Sequence, residues 1–328
     1  MEEELTTKIN EYQNSINRSL KPSSVKLYVG NIRNLRKKMG LEGPWENIDF
    51  LEDKQKVDDA IQGLSQNTIR NYYSAIVIIL NAYDKFPEIL KEYEKHRDQL
   101  NDDYNEGKLN GIVSESQGQN FIKFDDLTKL YNEIFKDVKS TLTKINKKEF
   151  QTISLKEKQL LQIYVILTLY RKYPFRNELA ELQYISTKDF KKLKNENKID
   201  KNFLITGKSY RFSMNSYKTN RKYKEKIIHV DNDTKNLLQK WNKLHPQEVH
   251  VFTTQSSGKP LTRNELGKLL RKYFKQTIGK SISSTILTKS LYSHTIPSEQ
   301  IEKIKKLAAI RGHTLDTALN IYVVPKKE

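Results

Sequence analysis

The chain contains no cysteine, so disulfide frameworks, thiolate zinc sites and cysteine nucleophiles are excluded. Glycine (12) and proline (8) are sparse over 328 residues, which excludes collagen-like and Pro/Gly-rich low-complexity architectures. No apolar run approaches the roughly 20 residues that a membrane-spanning helix needs, so an integral membrane protein is not expected. The opening residues, Met1-Glu2-Glu3-Glu4, are acidic and lack the apolar stretch of a secretory signal. The expectation is therefore an intracellular protein that is not secreted. Hydrophobic residues reach only 36%. They nevertheless recur at regular spacings, and aromatics make up 10%, which argues against wholesale disorder.

What the chain has in excess is positive charge. Its 58 Lys+Arg against 40 Asp+Glu leave a formal net charge of +18. Such an excess favours a polyanionic partner, because neutralising phosphates releases condensed counterions. The acidic residues are interspersed, so no detached basic tail accounts for the charge. No segment pairs a Trp/Phe/Leu face with a purely basic one, as a membrane-surface helix requires. RNA-binding signatures of the RNP or KH type are absent as well. Lysine-rich composition alone remains the plain alternative to nucleic-acid binding.

At this length about two domains are expected. The first, residues 1–105, reads as a helical module. Residues 5–19 form a polar helix. A second follows Pro22-Ser23-Ser24 with Val25, Tyr28, Ile32 and Leu35 as its stripe. A short helix spans 50–62, and another follows Ser65 with Ile69, Tyr72, Tyr73, Ile76, Ile79, Leu80 and Tyr83. A charged helix covers 87–105. Residues 106–122 contain Gly107, Gly111 and Gly118 without periodicity and read as a linker. The second domain, 123–328, is expected to be mainly helical with a small antiparallel β-sheet, an α+β arrangement. Asp125 and Asp126 are candidate helix caps. The box Ser154 to Glu157 opens the most apolar helix of the chain, Leu160 to Tyr170, whose apolar surface all round marks it as a buried spine. Strand patterns appear at 203–206, 210–214 and 226–230, the first two flanking Gly207-Lys208. Helices then follow at 232–243, 263–276 (after the box Thr262 to Glu265), 284–294, 298–310 and 315–323.

Two segments carry the chemistry: Tyr173 to Leu182, which includes Arg176, Glu178 and Leu179, and Arg311 to Tyr322, which includes Gly312, His313 and Tyr322. With the domain layout they resemble the tyrosine recombinase, or phage integrase-like, family of DNA breaking–rejoining enzymes. The Gly-His pair with a tyrosine nine residues after the His is similar to that family's C-terminal motif. Arg176 resembles its first arginine, with the following Glu one position earlier than in the commonest bacterial form. Asn215 to Thr219 is similar to the segment with its catalytic lysine, which nominates Lys218. The resemblance spans about residues 20–325.

The resemblance implies fold, chemistry and partners together. It implies a helical core-binding domain and a catalytic domain that close around duplex DNA as a clamp, with a homo-tetramer joining two duplexes. Tyr322 would form a 3′-phosphotyrosyl bond, Lys218 would protonate the departing 5′ oxygen, and His313 would donate a proton or bind phosphate. Arg176 would hold phosphate oxygens with a planar fork of donors. No metal or other cofactor is implied. A phenol with its usual pKa of about 10 needs such a cationic setting to attack phosphorus.

One family residue is missing. A second arginine, usually in a His-x-x-Arg pattern, falls by alignment on Thr288, or on Lys289 with a one-residue slip; the His falls on Thr285 or Ile286. Lys289 offers charge without the bidentate fork. A DNA-binding protein that has lost cleavage therefore stands beside the recombinase reading. A type IB topoisomerase-like relaxing enzyme, which shares the chemistry but acts as a monomer, is a third candidate. Candidate DNA contacts are Lys26, Arg33 and Lys37 in the first domain, and Arg263, Arg271 and Lys289 in the second. Solvated helix faces account for these equally well. A core tyrosine on a stripe with Leu315, Ala318 and Leu319 likewise accounts for Tyr322.

Overall fold

The computed structural model describes residues 1–311 except 19, 46, 110–117, 246–248 and 297. Two compact units emerge, Met1–Ser114 and Glu115–Glu328. The first is helical among its described residues: α1 (Glu2–Ser15), α2 (Pro22–Lys38), α3 (Lys54–Ile61), α4 (Gln66–Tyr83) and α5 (Pro87–Leu109). Ser65 caps α4 by accepting from Thr68 N, and the rest of that helix carries the apolar residues that organise the unit. Tyr73, Ala75, Ile76, Ile79 and Leu80 are buried against Leu5 and Ile9 of α1 and Ile32 and Leu35 of α2. On α2 the buried row is Val25, Val29, Ile32 and Leu35. Val29 takes the place expected for Tyr28, which stays half-buried at the edge with its phenol pushed up by desolvation. Helix α5 continues to Leu109, into the stretch expected to be linker.

The second unit is built on α7 (Leu155–Lys172), preceded by α6 (Phe124–Asn146). Every residue from Leu161 to Tyr170 is buried, as a helix apolar on all sides must be. Burying each large aliphatic side chain contributes about 1.5–3 kcal/mol. Helix α6 lays Leu127, Leu130, Ile134, Val138 and Ile145 onto it. Lys123 is the N-cap of α6, and Asp125 and Asp126 fall in its first turn instead of at the cap, where carboxylates favour the positive end of the helix dipole.

After α7 come a 3₁₀ turn (Asn177–Glu181), β1 (Leu182–Ser186), α8 (Thr187–Lys192), β2 (Asn202–Thr206), β3 (Arg211–Met214), α9 (Asn220–Tyr223) and β4 (Lys226–His229). The strand order is β1-β2-β3-β4. The β2–β3 and β3–β4 pairs are antiparallel, with Leu204 opposite Phe212 and Phe212 opposite Ile228. The sheet is nevertheless mixed, which corrects the antiparallel expectation. β1 pairs parallel with β2, Leu182 beside Asn202 and Ile185 beside Ile205. The crossover through α8 supplies the length that parallel neighbours need. One face packs on the core through Phe212, against Tyr173 and Phe175. Helices α10 (Asn232–Leu244), α11 (Arg263–Ile278), α12 (Ser284–Thr295) and α13 (Ser298–Arg311) follow. Thr262 and Glu265 form a complete capping box on α11, and Gly279 ends it at φ 71° in the left-handed region that favours glycine. The helix expected at 315–323 lies outside the described residues. Among the described residues no helix is long and apolar enough to cross a membrane.

Glu157 joins the two main helices of this unit. Its carboxylate accepts from Ser154 N (2.9 Å) and Ser154 Oγ (2.8 Å) at the start of α7, and from Lys144 Nζ (2.7 Å) at the end of α6. The Lys144 bond, then the Ser154 bonds, hold its pKa down to about 2 from the usual 4.5. A depressed acid stabilises the fold above its unfolded pKa and loses that contribution as pH falls toward the folded value. Glu157→Gln should therefore lower stability at pH 7 by about 1 kcal/mol, the usual worth of a helix cap. Urea titrations between pH 5 and 2 should show wild-type losing more stability than the variant; parallel slopes would contradict this role.

Candidate functional site

Arg176 and Lys218 sit on different elements, and one hydrogen-bonded network connects the turns that present them. Phe175 anchors the first turn in the core, its ring edge-on to Phe212 at 5.1 Å. Arg176 follows in extended conformation as the N-cap of the Asn177–Glu181 turn. Its carbonyl accepts from the Tyr170 hydroxyl (3.2 Å) at the end of α7. Burial pushes the Tyr170 phenol up, while a hydrogen bond with Ser284 at the start of α12 draws it down. Tyr170 therefore stays protonated and able to donate. The Arg176 guanidinium is exposed and makes no hydrogen bond or ion pair among the described residues. The residues that follow Arg176, Asn177–Glu181, form a five-residue 3₁₀ turn.

The second turn joins β3 to α9. Asn202, fully buried at the start of β2, accepts with Oδ1 from Asn215 N and Ser216 N, both at 2.9 Å. Its Nδ2 donates to Ser216 O at 3.0 Å and, over a longer 3.5 Å, to Glu178 O. Tyr217 is buried, and its hydroxyl donates to Lys224 O at 2.6 Å. Asn220 N closes the turn onto Tyr217 O. Between these fixed points Lys218 is exposed, without a partner among the described residues.

Arg263, at the first position of α11, bridges the two turns. Its Nε and Nη2 donate to Glu181 Oε2 at 2.8 and 2.6 Å. The same Nη2 donates to Ser216 O (3.0 Å) and Ser216 Oγ (3.1 Å). Asn177 Nδ2 donates to the Arg263 carbonyl at 3.0 Å. One arginine thus holds the end of the Arg176 turn and a residue two positions before Lys218. This arginine was expected among the DNA contacts; its Nε and Nη2 donors are occupied within the fold. Arg271, two turns further along α11, is exposed and has no partner among the described residues.

The remaining sequence candidates fall in three groups. Lys26 and Lys37 are exposed on α2 without partners among the described residues, whereas Arg33 pairs with Glu2 at 3.1 Å. On α12 Ile286 is buried, Thr288 half-buried and Lys289 exposed. Lys289 is engaged with a neighbour. His313 and Tyr322 lie outside the described residues. Sequence reasoning missed Asn202, Glu181 and Ser216, the residues that fix the two turns. A buried asparagine at a strand start leaves no periodic signal, and Glu181 stands 82 positions from its partner. Among the described residues no three His, Asp or Glu side chains lie together to hold a metal ion.

No family model matches the chain, and no curated protein matches it. Among solved structures it is similar to the crystal structure of XerA recombinase, with 13% identity over 99% of this chain and 95% of that one. The TM-score is 0.32, at which the two backbones diverge too far for the likeness to carry an argument.

The clamp has a testable signature. The Arg263–Glu181 pair is partly exposed, 37% and 42%, and such pairs contribute only about 0–1 kcal/mol. Arg263→Lys keeps the charge and loses the geometry that reaches both partners. It should leave the melting midpoint within a few degrees of wild-type while amide exchange at residues 215–219 accelerates severalfold. Unchanged exchange there would show that Asn202 alone fixes the turn.

Proposed function

We propose that the chain is a site-specific DNA recombinase or integrase that cuts and rejoins duplex DNA through a covalent 3′-phosphotyrosyl intermediate. The observation that carries the reading is the Arg263 bridge, which ties together two turns that each present an exposed, unpartnered cation. A bare guanidinium and a bare ammonium on linked turns suit a phosphodiester, which needs charge neutralisation and a proton for its leaving oxygen. The net charge of +18 supplies the long-range attraction for DNA. The sequence order Gly312-His313 with Tyr322 nine residues on adds the nucleophile.

In the proposed step the Tyr322 oxygen forms a bond to phosphorus and the phenol proton leaves to water. The P–O5′ bond breaks, and the 5′ oxygen takes a proton from the Lys218 ammonium. Arg176 neutralises the non-bridging oxygens as charge builds, and His313 donates to one of them. Rejoining reverses the sequence. A tetramer on two duplexes would allow exchange of strands, and the reaction belongs inside the cell, where DNA is. A second reading, binding without cleavage, is favoured by one observation: half-buried Thr288 and exposed Lys289 stand on α12 where the resemblance calls for an arginine.

A suicide duplex, nicked so that the cut fragment diffuses away, separates the readings. The wild-type chain should become covalently attached to DNA. Tyr322→Phe should give no adduct, and Arg176→Ala should slow its formation by at least about 10³-fold. Salt-sensitive binding with no wild-type adduct would establish the binding-only reading and remove the recombinase.

DNA affinity itself should fall steeply with salt, each phosphate contact adding about 0.9 to the slope of log K against log[salt]. Replacing both Lys26 and Lys37 with alanine should reduce that slope by nearly 2. Arg33→Ala should change it less, since Glu2 already neutralises Arg33. A slope untouched by the double change would move the DNA contact off α2.

A further inference from the structure

The segment that presents Lys218 is crowded with like charge. From Lys218 to Lys226 it holds five cations, Lys218, Arg221, Lys222, Lys224 and Lys226, against one carboxylate, Glu225. That carboxylate accepts from Ser213 Oγ at 2.6 Å. Self-repulsion works to splay such a turn open, and the contacts that oppose it gather around Lys226. As the first residue of β4, opposite Met214 at the end of β3, Lys226 stands at the neck of the turn. Its ammonium lies 4.8 Å from the ring centroid of Tyr217 and 5.0 Å from that of Tyr223, within the range at which a ring attracts a cation. It has no carboxylate partner among the described residues.

The two rings belong to the same turn as Lys218. Tyr217 directly precedes it, and Tyr223 is the last residue of α9. Burial raises the Tyr217 pKa above that of an ordinary phenol, so the hydroxyl keeps its proton and donates to Lys224 O at 2.6 Å. Lys224 sits at φ 54°, ψ −155°, where a residue with a side chain is rarely found. Such a conformation persists only where the surroundings hold it. Here the Tyr217 hydroxyl holds its carbonyl, and Asn220 O accepts from its N–H at 2.8 Å.

We propose that Tyr217 and Tyr223 clasp the Lys226 ammonium, and that this clasp fixes the turn that presents Lys218. Lys226 is then a positioning residue for proton delivery to the departing 5′ oxygen, an inference that deepens the strand-transfer reading and rests on it. A carboxylate in place of the rings would hold the ammonium too. It would also put negative charge on a turn that meets a phosphodiester, and it would compete for the Lys218 ammonium. Ring faces attract a cation through their quadrupole and leave the charge of the turn intact. Misplacing a reacting group by about 1 Å costs about 10²-fold in rate, so a weak contact matters where geometry is what it controls.

The test uses two nicked duplexes at saturating concentration, one ordinary and one with sulfur in place of the bridging 5′ oxygen at the cut. A thiol has a pKa of about 8.5, so the thiolate leaves without a proton and the sulfur duplex bypasses the donor. Lys226→Met keeps the apolar stem and loses the charge. It should slow adduct formation on the ordinary duplex by about 10–10²-fold, and on the sulfur duplex by less than about threefold. Tyr223→Leu should behave alike, and Lys218→Ala should show the same pattern with an ordinary-duplex loss of about 10²–10⁴-fold. Lys226→Arg and Tyr223→Phe keep a cation and a ring face and should restore the ordinary-duplex rate. Equal slowing on both duplexes would make Lys226 a plain DNA contact or fold element and overturn the proposal, as would a full rate on both. Independently of cleavage, amide exchange across residues 218–224 should accelerate severalfold in Lys226→Met at an unchanged melting midpoint, and the wild-type Lys226 ε-methylene protons should resonate upfield of those in Tyr223→Leu. Unchanged exchange, or no ring-current shift, would remove the clasp even if the protein cleaves DNA. Absence of a wild-type adduct on both duplexes would remove the strand-transfer reading and the proton-delivery role with it, while the exchange and ring-current measurements would still decide the clasp.

Discussion

Arg263 donates three times to side chains and once to a backbone carbonyl, joining parts of the chain that are 82 and 47 positions away in sequence. The pair with Glu181 contributes little to global stability at this exposure. Its importance is geometric. The Arg176 turn lies between α7 and β1, anchored by buried Phe175 and Leu179, and the Lys218 turn lies between β3 and α9, anchored by buried Tyr217; burial holds each turn to the core, and Arg263 ties one to the other. The capping box of Thr262 and Glu265 sets the start of α11, and from that fixed point the Arg263 side chain reaches both turns. Asn202 completes the arrangement by satisfying the backbone of Asn215 and Ser216 from inside the sheet.

The same logic explains which cations are free. Where a basic residue holds the fold it has an acidic or carbonyl partner: Lys144 with Glu157, Lys172 with Asp231, Arg36 with the carbonyls of Gly43 and Pro44. Asp231 stays ionised well below the ordinary aspartate range: burial acts against it, but the Lys172 bond and those from Thr234 and Tyr173 outweigh that cost. Arg176, Lys218 and Arg271 have no such partner among the described residues. Exposed charge left unneutralised beside tightly bonded backbone is what a binding site for phosphate requires.

The sequence made the helices readable because caps and apolar spacing are local. Ser65, Ser154 and Thr262 each mark a helix start that the structure retains, and the apolar spine is buried from Leu161 to Tyr170, with Leu160 partly buried at its start. The strands at 203–206 and 226–230 were visible from their β-branched and aromatic runs. β1 was not, because Leu182 to Ser186 directly follows the Arg176 turn and too few residues separate them to show a period. Its parallel pairing depends on a crossover partner twenty residues away. Choosing Tyr28 over Val29 failed because the two neighbours fit the same helical stripe equally, and only packing on α4 decides between them. The clamp was beyond reach altogether: nothing in Arg263 distinguishes a structural arginine from one that meets DNA until Glu181 is placed beside it.

A crystal structure of the chain with a nicked duplex and vanadate in place of the broken phosphate tests most directly whether the two clamped turns serve one phosphorus centre. The expected result is a single vanadate with the Arg176 guanidinium and the Lys218 ammonium both within about 3 Å of its oxygens, and Arg263 still bonded to Glu181 and Ser216. Vanadate bound by one of them with the other facing a different surface would contradict the shared site.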